Sequence, residues 1–166
     1  LAYLGVVASA VGMVLALIPL TVVLLAVRAA DRWEPEPASL VVFAPAWGAV
    51  VQAPLVEEFA KGLGVFVVFV FGRRAFDGPV DGVVCGALVG AGFAFTENIL
   101  YFATSLIEGG LSETAFTFVL RGILSPFAHV MFTAVTGYAI GRAARAVADE
   151  RARLGRTVAA RAALFA

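Results

Sequence analysis

Pro54-Leu55-Val56-Glu57-Glu58-Phe59-Ala60-Lys61-Gly62, followed by Leu63-Gly64-Val65-Phe66-Val67-Val68-Phe69-Val70-Phe71, is the stretch that decides the fold class. Its second half is wholly apolar, and with its first half it is long enough to be a membrane helix. Its first half places two adjacent carboxylates and an ammonium at the mouth of that run. Charge at membrane depth costs roughly 2.5 kcal/mol or more per group, so it persists where the protein uses it. Lys61 stands one helical turn from both glutamates, at i,i+4 from Glu57 and i,i+3 from Glu58, and can pair with either. Neighbouring residues on a helix point ~100° apart. Both glutamates can therefore face protein only if other helices flank them on two sides.

The rest of the chain agrees with a membrane setting. Of 166 residues, 61% are hydrophobic and only 14% charged, with a mean hydropathy of +0.96. A soluble domain of this size needs a more polar surface, so the expected fold class is all-α, a polytopic transmembrane bundle of at least four membrane-embedded helices. Net charge is zero, so the overall balance implies no nucleic-acid or acidic partner. Cys85 is the only cysteine, so an intrachain disulfide is excluded. His129 is the only histidine, which excludes a metal site built on two or three histidines of this chain. The patterns G-x-S-x-G, H-E-x-x-H and C-x-x-C are absent. The chain does not begin with Met and reads as a piece of a longer one.

Working outward, residues 4–27 form a first apolar run without charge, long enough to span. Residues 28–37 are polar, with Trp33 suited to a membrane interface. The apolar segment 40–71 is too long for one straight span, at ~48 Å of helix, and Pro54 is expected to break it. Residues 72–82 form a polar loop with Arg73, Arg74, Asp77 and Asp81, the last a candidate N-cap. A third helix, 83–107, is interrupted by Glu97 and Asn98. Gly82, Gly86, Gly90 and Ala94 fall four apart on it, a small-residue face that leads to Asn98. An acidic turn, 108–114, precedes a fourth helix, 115–140, with Arg121 inside it. There His129, Thr133, Gly137 and Gly141 again share one face. Residues 142–161 carry six arginines and read as a polar helix on the membrane surface; the chain turns apolar again from Val158, as if to begin another span. Two spans separate the 72–82 loop from the 142–166 tail, so both lie on one side. Their arginines make that side cytoplasmic.

Three ionisable residues fall at one depth. Glu57 is about fifteen residues before Gly72, Glu97 about fifteen after Gly82, and His129 about thirteen before Arg142. At 1.5 Å per residue all lie ~20–22 Å from the cytoplasmic edge. Carboxylates and one imidazole in one layer suit two chemistries. A carboxylate can act as general base on a water, or carboxylates and histidine can together hold a divalent metal that activates the water.

Four blocks of sequence carry a resemblance. They are Glu57-Glu58-Phe59-Ala60-Lys61; Phe76-Asp77-Gly78-Pro79-Val80-Asp81-Gly82; Gly92-Phe93-Ala94-Phe95-Thr96-Glu97-Asn98-Ile99; and Arg121 with Pro126-Phe127-Ala128-His129 and Gly137-Tyr138. Their order and spacing over roughly residues 50–142 resemble the PrsW family of intramembrane proteases. These are distant relatives of the CAAX-prenyl proteases and of the APH-1 scaffold subunit of γ-secretase. The resemblance implies a bacterial plasma-membrane protein that hydrolyses a peptide bond, with a divalent metal, zinc in the first instance. By motif position, Glu57, Glu58 and His129 would be catalytic. Glu58, Glu97 and His129 would hold the metal, supported by Lys61, Asn98, Arg121 and Thr133. The implied partners are the lipid bilayer, a membrane-anchored substrate such as an anti-sigma factor and, as an option, further copies of the chain. The wider superfamily often carries a further histidine in a later helix, and this sequence has none. The alternatives are a non-catalytic scaffold like the γ-secretase subunit, and a proton-coupled transporter using the same glutamates and histidine.

Overall fold

The computed structural model describes residues 2–18, 21, 25, 53–74 and 76–164, with side chains to residue 157. The protein is all-helical over these residues. Helix α1 is Ala2–Leu15, α2 is Ala53–Gly72 and α3 is Pro79–Thr117. A π-helical segment, Phe118–Leu124, joins α3 to α4, Ser125–Leu164. Residues 26–52, with Trp33 and all but the last residue of the lead-in expected at 40–53, lie outside the described residues, as does much of the second half of the expected first span.

Pro54 sits in the first turn of α2. A proline there opens a helix, because the N–H it lacks has no intrahelical partner in that turn. Pro79 starts α3 in the same way, behind Gly78. Asp81 is therefore not the cap but stands inside the first turn, and its Oδ2 accepts a 2.7 Å bond from the Asp77 backbone N–H.

Inside α3 the backbone breaks at Gly110, with φ 67° and ψ −161°. This left-handed φ suits glycine, which has no Cβ to clash. The chain reverses here. Ser105 Oγ meets Thr114 Oγ1 at 3.5 Å, the Phe102 and Phe118 rings lie 5.8 Å apart, and Asn98 reaches the Arg121 carbonyl. Each pair is symmetric about residues 109–110, as in an antiparallel hairpin. The acidic turn expected at 108–114 thus has its pivot at Gly110.

Continuing down the hairpin, the two small-residue faces meet. A Cβ on Gly82 would stand in the Gly137 carbonyl, one on Gly86 in the Thr133 carbonyl, and one on Gly90 2.6 Å from the His129 carbonyl oxygen. Backbones this close require glycine, and small residues drive such contacts where lipid offers no hydrophobic gain. α1 docks on the other side of α3, where Gly12 lies on Val89 and Gly92 lies on Ser9. The apolar core collects Leu4, Ala8, Val65, Val68, Phe76, Cys85 and Val89.

The distribution of polarity is inverted. Lys61, Glu97, Asn98, Ser105 and Thr133 are buried, while Phe59, Phe71, Phe116, Phe127, Met131 and Phe132 are exposed. Water would reject that arrangement, but hydrocarbon favours it. The helical run from Pro79 is long and apolar enough to cross a membrane. α2 has 20 residues but carries Glu57, Glu58 and Lys61. α4 continues without a break past Arg142, where almost every side chain is exposed. Arg145 Nη1 donates to the Asp77 carbonyl at 3.4 Å, which holds the 76–78 loop and the start of the tail at one end of the bundle.

Candidate active site

The ionisable residues of α2, α3 and α4 converge. One ligand atom from each of Glu57, Glu97 and His129 lies within 4.8 Å of the other two. The helices that supply them reach this point by the contacts above: Gly90 backs onto His129, and Glu97 lies about two turns further along α3.

His129 is held from both sides. Lys61 Nζ is 2.6 Å from its Nδ1, and Glu97 Oε2 is 3.1 Å from its Nε2. Lys61 is fully buried. Its ammonium also meets Glu58 Oε1 at 2.7 Å and Glu57 Oε2 at 3.6 Å, and sits 4.3 Å from the centre of the Phe93 ring. Glu97 Oε2 lies 2.9 Å from Arg121 Nη2. Neither Arg121 nor His129 aims an N–H squarely at it, so this buried oxygen keeps lone pairs uncommitted to a hydrogen bond.

The structure separates the two adjacent glutamates. Glu57, with a side chain 17% exposed, joins Glu97 and His129. Glu58, 39% exposed, turns to Lys61. Of the metal set expected from motif position, Glu97 and His129 stand together here, and the glutamate that joins them is Glu57. The ~100° between neighbours on a helix is the reason, since only one of them can face α3 and α4 squarely.

Among the supporting residues, Arg121 reaches the site and is stacked on Tyr101, with its Cζ 3.3 Å from the ring centre. Thr133 does not engage the imidazole. Its Oγ1 donates to the His129 carbonyl at 2.7 Å, a bond within α4, and it packs against Gly90. Asn98 serves the backbone. Ser125 N–H bonds to the Leu120 carbonyl in the wide π turn, so the Arg121 carbonyl loses that donor. The next residue along is Pro126, which has no N–H to give. Asn98 Nδ2 donates to the stranded carbonyl at 3.0 Å. Proline, π turn and asparagine thus form one unit that sets Arg121 against Glu97.

Phe93 and Tyr101 were not among the residues expected from sequence. Both lie four residues from Glu97, on its own face of α3. That spacing is the signal that marks them; the glycine stripe drew attention to the neighbouring face instead.

Comparison with known proteins gives the family. A model of the PrsW family of intramembrane metalloproteases matches residues 2–166. The chain belongs to the PrsW family. It is 37% identical over 111 residues to a protein named Protease PrsW from Geobacillus kaustophilus, covering 67% of this chain and 45% of that relative. A Protease PrsW from Oceanobacillus iheyensis is 36% identical over 95 residues, covering 57% and 40%. That of Bacillus subtilis is 37% identical over 93 residues, covering 56% and 38%. The chain spans less than half the length of these curated relatives. No solved structure matches. Membership of the PrsW family makes the chain part of an integral membrane protein, in keeping with the inverted polarity of its surface.

Proposed function

We propose that the chain carries the catalytic core of a metal-dependent peptidase that cleaves a membrane-anchored protein within or beside the bilayer. The observation that carries this reading is the meeting of Glu57, Glu97 and His129 from three separate helices. In this reading α1, α2 and the two limbs of the Gly110 hairpin are the membrane-embedded helices. The 72–82 loop and the tail from Arg142 face the cytoplasm, by the arginines they carry.

The residues fit a divalent cation. Carboxylate oxygen and imidazole nitrogen are donors that zinc takes, and three protein ligands leave a fourth position for water. Glu97 Oε2 has lone pairs that no well-aligned hydrogen bond takes up. Glu57, Glu97 and His129 would hold the ion. When bound, it would polarise the scissile carbonyl and make a water nucleophilic near neutral pH.

The chain's other residues supply the rest. Glu58 is adjacent to the ligand set and more open than Glu57, so it takes the proton from the attacking water as oxygen bonds to the carbonyl carbon. It then delivers that proton to the leaving nitrogen as the C–N bond breaks. Arg121, stacked and oriented by Tyr101, faces the negative charge that develops on the carbonyl oxygen. The apolar surround excludes bulk water, which strengthens each of these interactions. The substrate in this reading is a single-span protein, such as an anti-sigma factor.

The test is cleavage of single-span substrates by purified protein in bilayers. A chelator abolishes cleavage and zinc restores it, while Glu57→Ala and His129→Ala lose it. Wild-type rates in both variants, or in excess chelator, overturn the assignment.

A further inference from the structure

Lys61 is the sole lysine and His129 the sole histidine of the chain, and they are bonded to each other at 2.6 Å. An ammonium has three donors and no acceptor. With Lys61 held as an ammonium between Glu57 and Glu58, His129 Nδ1 is the acceptor in this bond. In a neutral imidazole the ring proton then stands on Nε2, the nitrogen 3.1 Å from Glu97 Oε2. Neither nitrogen has a lone pair free. Nδ1 has given its own to Lys61, and Nε2 carries the proton.

A metal on this histidine needs one of those lone pairs. If it binds through Nδ1, it takes the acceptor from Lys61 directly. If it binds through Nε2, beside Glu97, the ring proton must move to Nδ1, which again ends the bond to Lys61. Both routes lead to the same exclusion. The charges agree with it. The ammonium already draws on Glu57 and Glu58, and Phe93 lies under it, so it is itself a cation in a site made for one.

We propose that Lys61 is an internal competitor of the metal: its bond to His129 Nδ1 and a metal ion on His129 are mutually exclusive, so metal uptake requires Lys61 to withdraw. The proposal rests on the metal-dependent reading above.

The experiment is metal titration of the protein in lipid nanodiscs, with cobalt and zinc as probes, for wild type and Lys61→Met. Methionine approximates the length of lysine without its charge or donors. The variant binds cobalt more tightly, with Kd lower by about tenfold or more, as removal of a unit positive charge from a buried site requires. Wild type is followed in parallel by ¹⁵N resonances of the single histidine. Metal-free protein shows Nδ1 as an unprotonated acceptor and Nε2 protonated, and zinc converts Nδ1 to a protonated or metal-bound nitrogen. The spectrum needs no variant, so it decides the matter even if Lys61→Met does not fold. Equal or weaker affinity in the variant overturns the proposal, as does a zinc-loaded wild type whose Nδ1 is still an acceptor. Metal bound equally by both proteins sinks only the competition. Failure of both to bind sinks the metal-dependent reading with it.

Discussion

Gly86→Ala adds one methyl group where the two limbs of the hairpin touch backbone to backbone, one turn from His129. The new Cβ would stand 3.0 Å from Ala134 Cα and from the Thr133 carbonyl carbon, and closer still to the Thr133 carbonyl oxygen. Ordinary contact begins near 3.4 Å. The obstacle is backbone, so no side-chain rotamer can relieve it, and the two limbs must part by about 1 Å. Overpacking of this kind costs about 1–3 kcal/mol. His129 is one turn from Thr133 on the same helix and moves with it. Its Nε2, now 3.1 Å from Glu97 Oε2, would stand at about 4 Å, the outer limit of an ion pair. A 1 Å misplacement in a catalytic constellation can lower the rate by about a hundredfold. The assay is cleavage of a single-span substrate in bilayers, with unfolding measured on the same preparation. Gly155→Ala is the control, since nothing lies within 4 Å of that position. If Gly86→Ala cleaves within twofold of wild type and unfolds at the same point, the hairpin does not position His129 and the reasoning fails.

Two further outcomes follow from the same geometry. In metal titrations Glu57→Gln binds zinc roughly a hundredfold more weakly, whereas Glu58→Gln stays within about a factor of ten, the lower end of what loss of an indirect partner costs; the reverse order would return Glu58 to the ligand set. Asn98→Leu leaves the Arg121 carbonyl unpaired and destabilises the protein by about 1–3 kcal/mol. Pro126→Ala in that background restores a backbone donor and recovers part of the loss, and a double-mutant cycle with no coupling would disprove the link between Asn98 and Pro126.

Much of the site was legible along the helix axes. Counting residues from the polar loops placed Glu57, Glu97 and His129 at one depth, because rise per residue is nearly constant in a helix. The glycine faces marked where α3 and α4 approach, because only small residues allow backbones to touch. Other features were hidden. The reversal at Gly110 was expected only as a polar turn seven residues long, since sequence marks the loss of apolar character more readily than the one residue with positive φ. The role of Asn98 was out of reach, because it depends on a carbonyl 23 residues away stranded by Pro126.

The Glu57-Glu58 pair draws the same boundary. Sequence alone determined that two carboxylates and a lysine enter an apolar helix, at the depth of a further glutamate and a lone histidine. Composition and linear spacing are enough for that. Only the tertiary structure decided that Glu57 turns to Glu97 and His129, and that Lys61 occupies His129 Nδ1. Those outcomes depend on how each helix is rotated about its own axis against its neighbours. Packing of the glycine faces sets that rotation, and spacing along a single helix does not record it.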